Sequence, residues 1–272
     1  MYSERKKGHK NMMVVRFILG CLLGAGVGFG TGFLIGSPIL QLDTTTALII
    51  GAVMGVVAGV YSAFAMASKV YKLGFFSILG YIIDVTWSLL NSLAGIAVWA
   101  PAALIVGGKF QAPDPDSQRS GTFVFDKNPR GGQFSGGATT IGTVIAGGWS
   151  SHEETHVWQA RMYGPAYLVL YGLSYVLNYL FLLPFRPADR MMAAYQRVCF
   201  EEWAYWGGHT SDNQFNWGGW VGGFFLTLLY ASIVAAIPIG IALEQMFVWL
   251  AGIGGLVLYT LIRAALPATH VH

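Results

Sequence analysis

Charge is what this chain has least of: 11% of its 272 residues are Asp, Glu, Lys or Arg, against about a quarter in soluble domains. So few charges cannot cover the surface of a water-soluble globule, and with 54% of residues hydrophobic the chain belongs in a bilayer. The basic residues, leaving a net charge of +3, are scattered between apolar runs and form no stripe, which argues against a nucleic-acid partner. Cysteine is scarce too. Cys21 and Cys199 both fall in apolar helical stretches and give neither a disulfide framework nor a metal-ligand spacing. A small-x-small cleavage site is also missing after the first apolar run, which therefore reads as a retained transmembrane helix behind a basic tail at 1–16.

What the chain does have is long apolar runs. Crossing about 30 Å of hydrocarbon takes about 20 residues, and 17–36, 47–67, 218–238 and 241–264 meet that length. The stretch 74–108, interrupted by Asp84, Asn91 and Pro101, and the stretch 166–184, ending at Pro184, each read as a full crossing or as a shallower helix. Within 17–67 small residues recur at every fourth position: Gly20, Gly24, Gly28, Gly32 and Gly36, then Gly51, Gly55, Gly59, Ala63 and Ala67. In lipid, helices associate through close backbone approach along such grooves, so an antiparallel hairpin packed within the chain is expected, with a homo-oligomer through the same faces as the alternative.

One long polar insert, 109–150, separates the apolar blocks. Thr122–Phe125 and Thr139–Ala146 read as two strands around Asn128-Pro129-Arg130-Gly131-Gly132, a β-hairpin leading into the next helix. That helix opens with His152-Glu153-Glu154-Thr155-His156, and Ser151 with Glu154 three residues on has the capping-box spacing. On a helix, His152 and His156 are one turn apart on one face and can share a Zn²⁺ ion, while Glu153 is placed to hold the water bound to it. A catalytic zinc needs a third ligand. Val157 to Gly164 lack the Gly and His of the metzincin continuation, and no Asp-Gly pair of the intramembrane site-2 type follows. The best downstream acid is Glu201, on a helix expected over 188–206; its neighbour Glu202, with Arg197 or Arg161 as alternative partner, and His209 are rival ligands. His209 and Tyr205 are also candidate transition-state donors, and Tyr163 a weaker one. His9, His270 and His272 lie in polar tails and carry no expected role.

At these residues the sequence resembles gluzincin-type metallopeptidases, in which an HExxH helix is joined by a Glu on a later helix. More specifically it is similar to a bacterial multi-span membrane group with His-Glu-x-x-His-x-x-Gln, then Gly-Pro and an aromatic, then Glu-x-Trp-Ala. Gln159, Gly164-Pro165, Tyr167 and Glu201-Glu202-Trp203-Ala204 carry the match. The resemblance covers about 110–210. It implies His152, His156 and Glu201 as zinc ligands, Glu153 as general base and a bacterial inner-membrane location.

The expected architecture is a mainly α, polytopic helical membrane protein with a small β-hairpin beside a zincin-like HExxH helix. In order it has a basic tail (1–16), a Gly-zipper transmembrane hairpin (17–67), long membrane helices (68–108), the polar insert (109–150), a catalytic region (151–210) and a C-terminal transmembrane hairpin (211–272). The expected function is hydrolysis of a membrane-proximal polypeptide by zinc-activated water, the alternative a noncatalytic scaffold or oligomeric channel with a structural or absent metal site. Basic residues favour the inner side of a membrane. Arg5, Lys6, Lys7, Lys10 and Arg16, then Lys69 and Lys72, put both flanks of the first hairpin inside. A single crossing by 74–108, a descent through 166–184 and an ascent through 191–206 would then place the motif outside, whereas a half-buried hairpin, or a 74–108 segment that dips and returns, would reverse the side.

Overall fold

The computed structural model describes residues 2–130, 137–185, 187, 189–208 and 216–266, with side chains from residue 11 onward except at 185. The protein is mainly helical with one small sheet. Among the described residues four helices are long and apolar enough to cross a membrane: Asn11–Ile39, Thr44–Ala67, Trp217–Ala242 and Met246–Ala265. These correspond to the four expected spans, except that the third runs through Pro238 and the turn falls at Leu243–Gln245, where Glu244 takes a left-handed φ of 57°. The chain forms two compact units: residues up to Trp149 with Ala160–Pro165, and Ser150–Gln159 with Ala166 onward.

In the first unit, α1 (Tyr2–Leu34) and α2 (Thr44–Ala67) form the expected hairpin, with Asp43 capping α2 by accepting from the Thr46 amide at 3.0 Å. Both rows of glycines face the partner helix. A Cβ on Gly28 would stand 2.5 Å from the Met54 carbonyl oxygen, on Gly32 2.9 Å from Gly51 Cα, and on Gly55 3.0 Å from the Ala25 carbonyl oxygen. Gly26 and Gly30, off the repeat, have nothing within 4 Å. The small-residue faces are thus used within one chain.

The stretch 74–108 is a bent pair. Helix α3 (Phe75–Asp84) meets α4 (Leu89–Ala94) at 86°, and α4 runs through a π-helical turn at Gly95–Trp99 into α5 (Ala100–Ile105). The residues that flank it meet. Short helix α6 (Pro115–Ser120) returns to the segment that follows α2: Gln118 Nε2 donates to the Lys69 carbonyl at 3.1 Å and Lys72 Nζ to that of Pro115 at 2.8 Å. Ser77 Oγ also donates to the Gln118 carbonyl. The segment is therefore bent so that the residues flanking it meet, and its polar interruptions lie in the interior. Asp84 is fully buried and takes Arg161 Nη2 at 2.6 Å, Arg161 Nε at 3.0 Å and the Tyr71 hydroxyl at 2.7 Å. Asn91 Nδ2 donates to the Gly164 and Ala160 carbonyls, and Ser88 Oγ to the latter, satisfying acceptors that a helix end leaves open.

The expected hairpin has different partners. The segment 139–146 is itself the hairpin: β2 (Thr139–Ile141) turns through Gly142 and Thr143 into the antiparallel β3 (Val144–Ala146), and β1 (Phe123–Phe125) joins β3 in parallel. A two-residue hairpin turn requires a positive φ at its centre, and Gly142 supplies 57°. Phe123, Phe125, Val144 and Ala146 pack with Tyr61, Val85 and Leu89 in the core of this unit.

In the second unit, α8 (Tyr167–Phe181) has 15 residues, fewer than the roughly 17–25 of a straight membrane crossing. Its first residue packs on Phe200, ring centroids 5.3 Å apart, and Leu182 just past its end packs with Ala194 and Ala264. The helix expected over 188–206 is not continuous: α9 (Arg190–Tyr195) and α10 (Cys199–Gly207) are separated by Val198 in extended conformation. Arg197, at this break, donates to the Arg263 and Leu266 carbonyls that end the last helix. Helix α10 lies against the open end of the C-terminal hairpin, α11 (Trp217–Ala242) and α12 (Met246–Ala265). Trp203 stacks edge-on with Trp220 and Phe224, and Gly223 leaves the room it needs. Glu202 is buried in an ion pair with Arg263, its charge also acts on Arg197, and Arg161 pairs with Asp84.

The packing gives opposite signs for two glycines on one helix. Gly28→Ala should lower the thermal midpoint in detergent by several degrees, since the new methyl must displace α2 backbone, whereas Gly30→Ala should leave it unchanged or raise it slightly. Equal effects would show that the glycine rows do not set the hairpin.

Candidate metal centre

The motif helix α7 spans Ser151–Tyr163. Its cap is one residue earlier than the spacing predicts: the Glu153 amide donates to Ser150 Oγ at 3.3 Å, and Glu154 N–H to the Ser150 carbonyl at 2.9 Å. The capping-box spacing is thus Ser150 to Glu153. Ser151 already lies in the helix, its carbonyl accepting from Thr155 Oγ1, and Glu154 meets the Trp158 indole N–H.

Helical periodicity sets His152 and His156 on one face, and their Nε2 atoms are 3.3 Å apart. Glu201, in the first turn of α10, completes the group: Oε2 is 3.4 Å from His152 Nε2 and Oε1 3.4 Å from His156 Nε2. The three are 3, 5 and 2% exposed. One ligand atom from each lies within 4.8 Å of the others, a spacing that a single metal ion can bridge. The donor set fits such an ion. Two imidazole nitrogens and a carboxylate converge, and buried Glu201 Oε2 has no hydrogen-bond donor of its own. Two nitrogens facing each other at this distance repel unless a cation or proton lies between them.

Without metal a proton can take that place. Burial opposes charge on His156, but the adjacent Glu201 carboxylate and Gln159 favour it more and push its pKa up to about 9. Burial likewise opposes the charge of Glu201, yet the two imidazoles hold its carboxyl well below the usual carboxylate range.

Around these three residues lies a ring of polar groups that sequence reasoning largely missed. Tyr171 donates to Glu201 Oε1 at 2.5 Å, and Tyr195 hydrogen-bonds to Glu201 as well. Burial and the Glu201 charge hold both phenols far above their usual range, so they stay protonated donors. His156 Nδ1 meets Gln159 Oε1 at 2.9 Å, and the Tyr167 hydroxyl lies 3.4 Å from both atoms. One signal was available in the sequence: Tyr167, Tyr171, Tyr175 and Tyr179 recur every fourth residue along one face of α8. Nothing local marked Tyr195.

The expected residues sort clearly. His152, His156 and Glu201 come together. Glu153 is buried in the same helical turn, close enough for its charge to act on His156, Tyr195 and Tyr205. Tyr205 packs against His152 with ring centroids 4.4 Å apart, and Tyr163 sits in the last turn of α7. Glu202 is turned to Arg263. His209 lies outside the described residues. Compared with family models, characterised proteins and solved structures, the chain matches none.

Purified protein should take up about one divalent transition metal per chain, and His152→Ala, His156→Ala or Glu201→Ala should abolish uptake, as measured by elemental analysis after dialysis. Glu202→Gln should keep the metal but lose about 3–5 kcal/mol of stability, because Arg263 is left buried without its partner. A metal ligand must be deprotonated. Proton and metal compete for His156, so apparent affinity should rise with pH up to about 9 and level off above it; a flat profile from pH 6 upward contradicts this.

Proposed function

We propose that the protein is a membrane-embedded zinc metallopeptidase of gluzincin type, cleaving a polypeptide near the membrane. The observation that carries this reading is the buried convergence of His152, His156 and Glu201 beside Glu153. Two imidazoles and one carboxylate are a donor set suited to zinc, and three protein ligands leave a position for water, whereas a structural zinc site is closed by four. Among the described residues no fourth His, Cys, Asp or Glu joins the group, which favours a catalytic site over a structural one.

A bound Zn²⁺ ion supplies the Lewis acidity that polarises a scissile carbonyl and acidifies a water molecule. Glu153, buried beside the cluster, would take a proton from the attacking water and deliver it to the leaving amine. Tyr195 and Tyr205, partly exposed and protonated, line the cluster on the α9–α10 side and are suited to donate to a carbonyl oxygen as charge develops. Tyr171 holds Glu201. The site's burial favours a substrate segment that can leave water, as the membrane-proximal part of a polypeptide can.

We further propose that the site faces the cytoplasm, in a bacterial inner membrane. The outside placement needed a crossing by 74–108, and the contacts of Lys69 and Lys72 with 115–118 support a return to the side of the basic N-terminal flank. The second unit leads separately to the same side. Its site lies at the open end of the C-terminal hairpin together with Arg190, Arg197 and Arg263, while the opposite turn, Leu243–Gln245, has no basic residue.

Glu153→Gln should keep the metal and lose at least about a thousandfold in cleavage of a peptide reporter, within the range for removing a proton-transfer group; unchanged cleavage would sink the peptidase reading. In intact cells Glu244→Cys should react with a membrane-impermeant maleimide and Arg119→Cys only after permeabilisation. The reverse pattern would return the site to the outside.

A further inference from the structure

The residue with most to do beyond the cluster itself is Gln159, three positions past His156 and fully buried. Its Nε2 donates to the carbonyl of Phe200 at 2.8 Å. A carbonyl can only accept, so this contact fixes which way the amide is turned, and Oε1 must face His156 Nδ1, 2.9 Å away. An amide oxygen can only accept as well. Nδ1 therefore carries the hydrogen, and in the neutral ring the lone pair is on Nε2, the atom that faces His152 and Glu201. The amide also joins two elements: through His156 it holds the middle of α7, and through Phe200 the backbone one residue before Glu201.

We infer that Gln159 is the positioning residue of the metal centre, fixing the tautomer of His156 and the spacing between the helix that brings the two histidines and the helix that brings Glu201. This rests on reading the cluster as a metal site. Metal-bound histidines commonly donate their other N–H to an acceptor that sets ring orientation and basicity, and losing such a partner weakens metal binding by about 10–100-fold. A neutral amide does this without adding a third buried carboxylate to a site that already holds Glu153 and Glu201. The Tyr167 hydroxyl, 3.4 Å from Gln159 Oε1, helps to keep that oxygen in place.

The test is zinc affinity by competition with a chelator, combined with ¹⁵N spectra of the His156 ring in the full-length, metal-free protein at about pH 10, where the ring is neutral. Wild type should show the Nδ1–H tautomer. Gln159→Met should raise the zinc dissociation constant about 10–100-fold and release the ring to the other tautomer. Gln159→Glu keeps an oxygen facing Nδ1 but loses the donor to the Phe200 carbonyl, so it should keep the Nδ1–H tautomer and lose less zinc affinity than Gln159→Met, a difference between variants that loss of packing alone does not produce. The inference is overturned by Nδ1 unprotonated in neutral wild type, by wild-type affinity in Gln159→Met, or by equal losses in Met and Glu variants. The wild-type spectrum decides even if Gln159→Met does not fold. Wild type that binds no zinc overturns the metal-site reading too, whereas zinc bound by wild type and Gln159→Met alike overturns the role of Gln159 alone.

Discussion

A carboxylate and two imidazoles aimed at one point, and buried from water, are costly to hold together. Desolvation of each charged group costs several kcal/mol, and the lone pairs repel across little more than 3 Å. A cation between them turns the lone-pair repulsion into attraction and offsets the cost of burying the carboxylate. In its absence a proton on His156 does part of the same work, which is why that imidazole holds its proton to about pH 9. Much of the second unit's local structure can be traced to this convergence: Tyr171 and Tyr195 on the carboxylate, Gln159 on the imidazole, and an N-cap at Ser150 that sets the first turn of the motif helix.

The bilayer imposes a second constraint, that charged and polar groups inside it find partners. Glu202 and Arg263 neutralise each other where α10 meets the last helix, and Arg197 satisfies the carbonyls at that helix's end. In the first unit Asp84 and Arg161 form the corresponding buried pair, with Tyr71 and Tyr61 extending the network. Adjacent acids in Glu201-Glu202 thus have opposite fates. Consecutive helical residues point about 100° apart, so one faces the histidines and the other the arginine.

The sequence made legible whatever depends on periodicity. Spans of about 20 apolar residues, a glycine at every fourth position and two histidines one turn apart all follow from helical geometry, and each is found. What it hid are the long-range choices. The interruptions at Asp84 and Asn91 mark a bend because their partners, Arg161, Ala160 and Gly164, lie far along the chain. The break at Val198 and the hairpin turn at Gly142 are set by backbone conformation at single residues, which apolar periodicity does not register. Glu201 was readable as the best downstream acid, yet its distinction from Glu202 needed the fold of α10.

The central claim is an open three-ligand zinc site, and X-ray absorption at the zinc edge of the metal-loaded protein tests it most directly. The account predicts two imidazole nitrogens, one carboxylate oxygen and one solvent oxygen at about 2.0–2.2 Å, with one imidazole lost in His156→Ala. A first shell of four protein ligands, or one unaffected by removing His156, would contradict it.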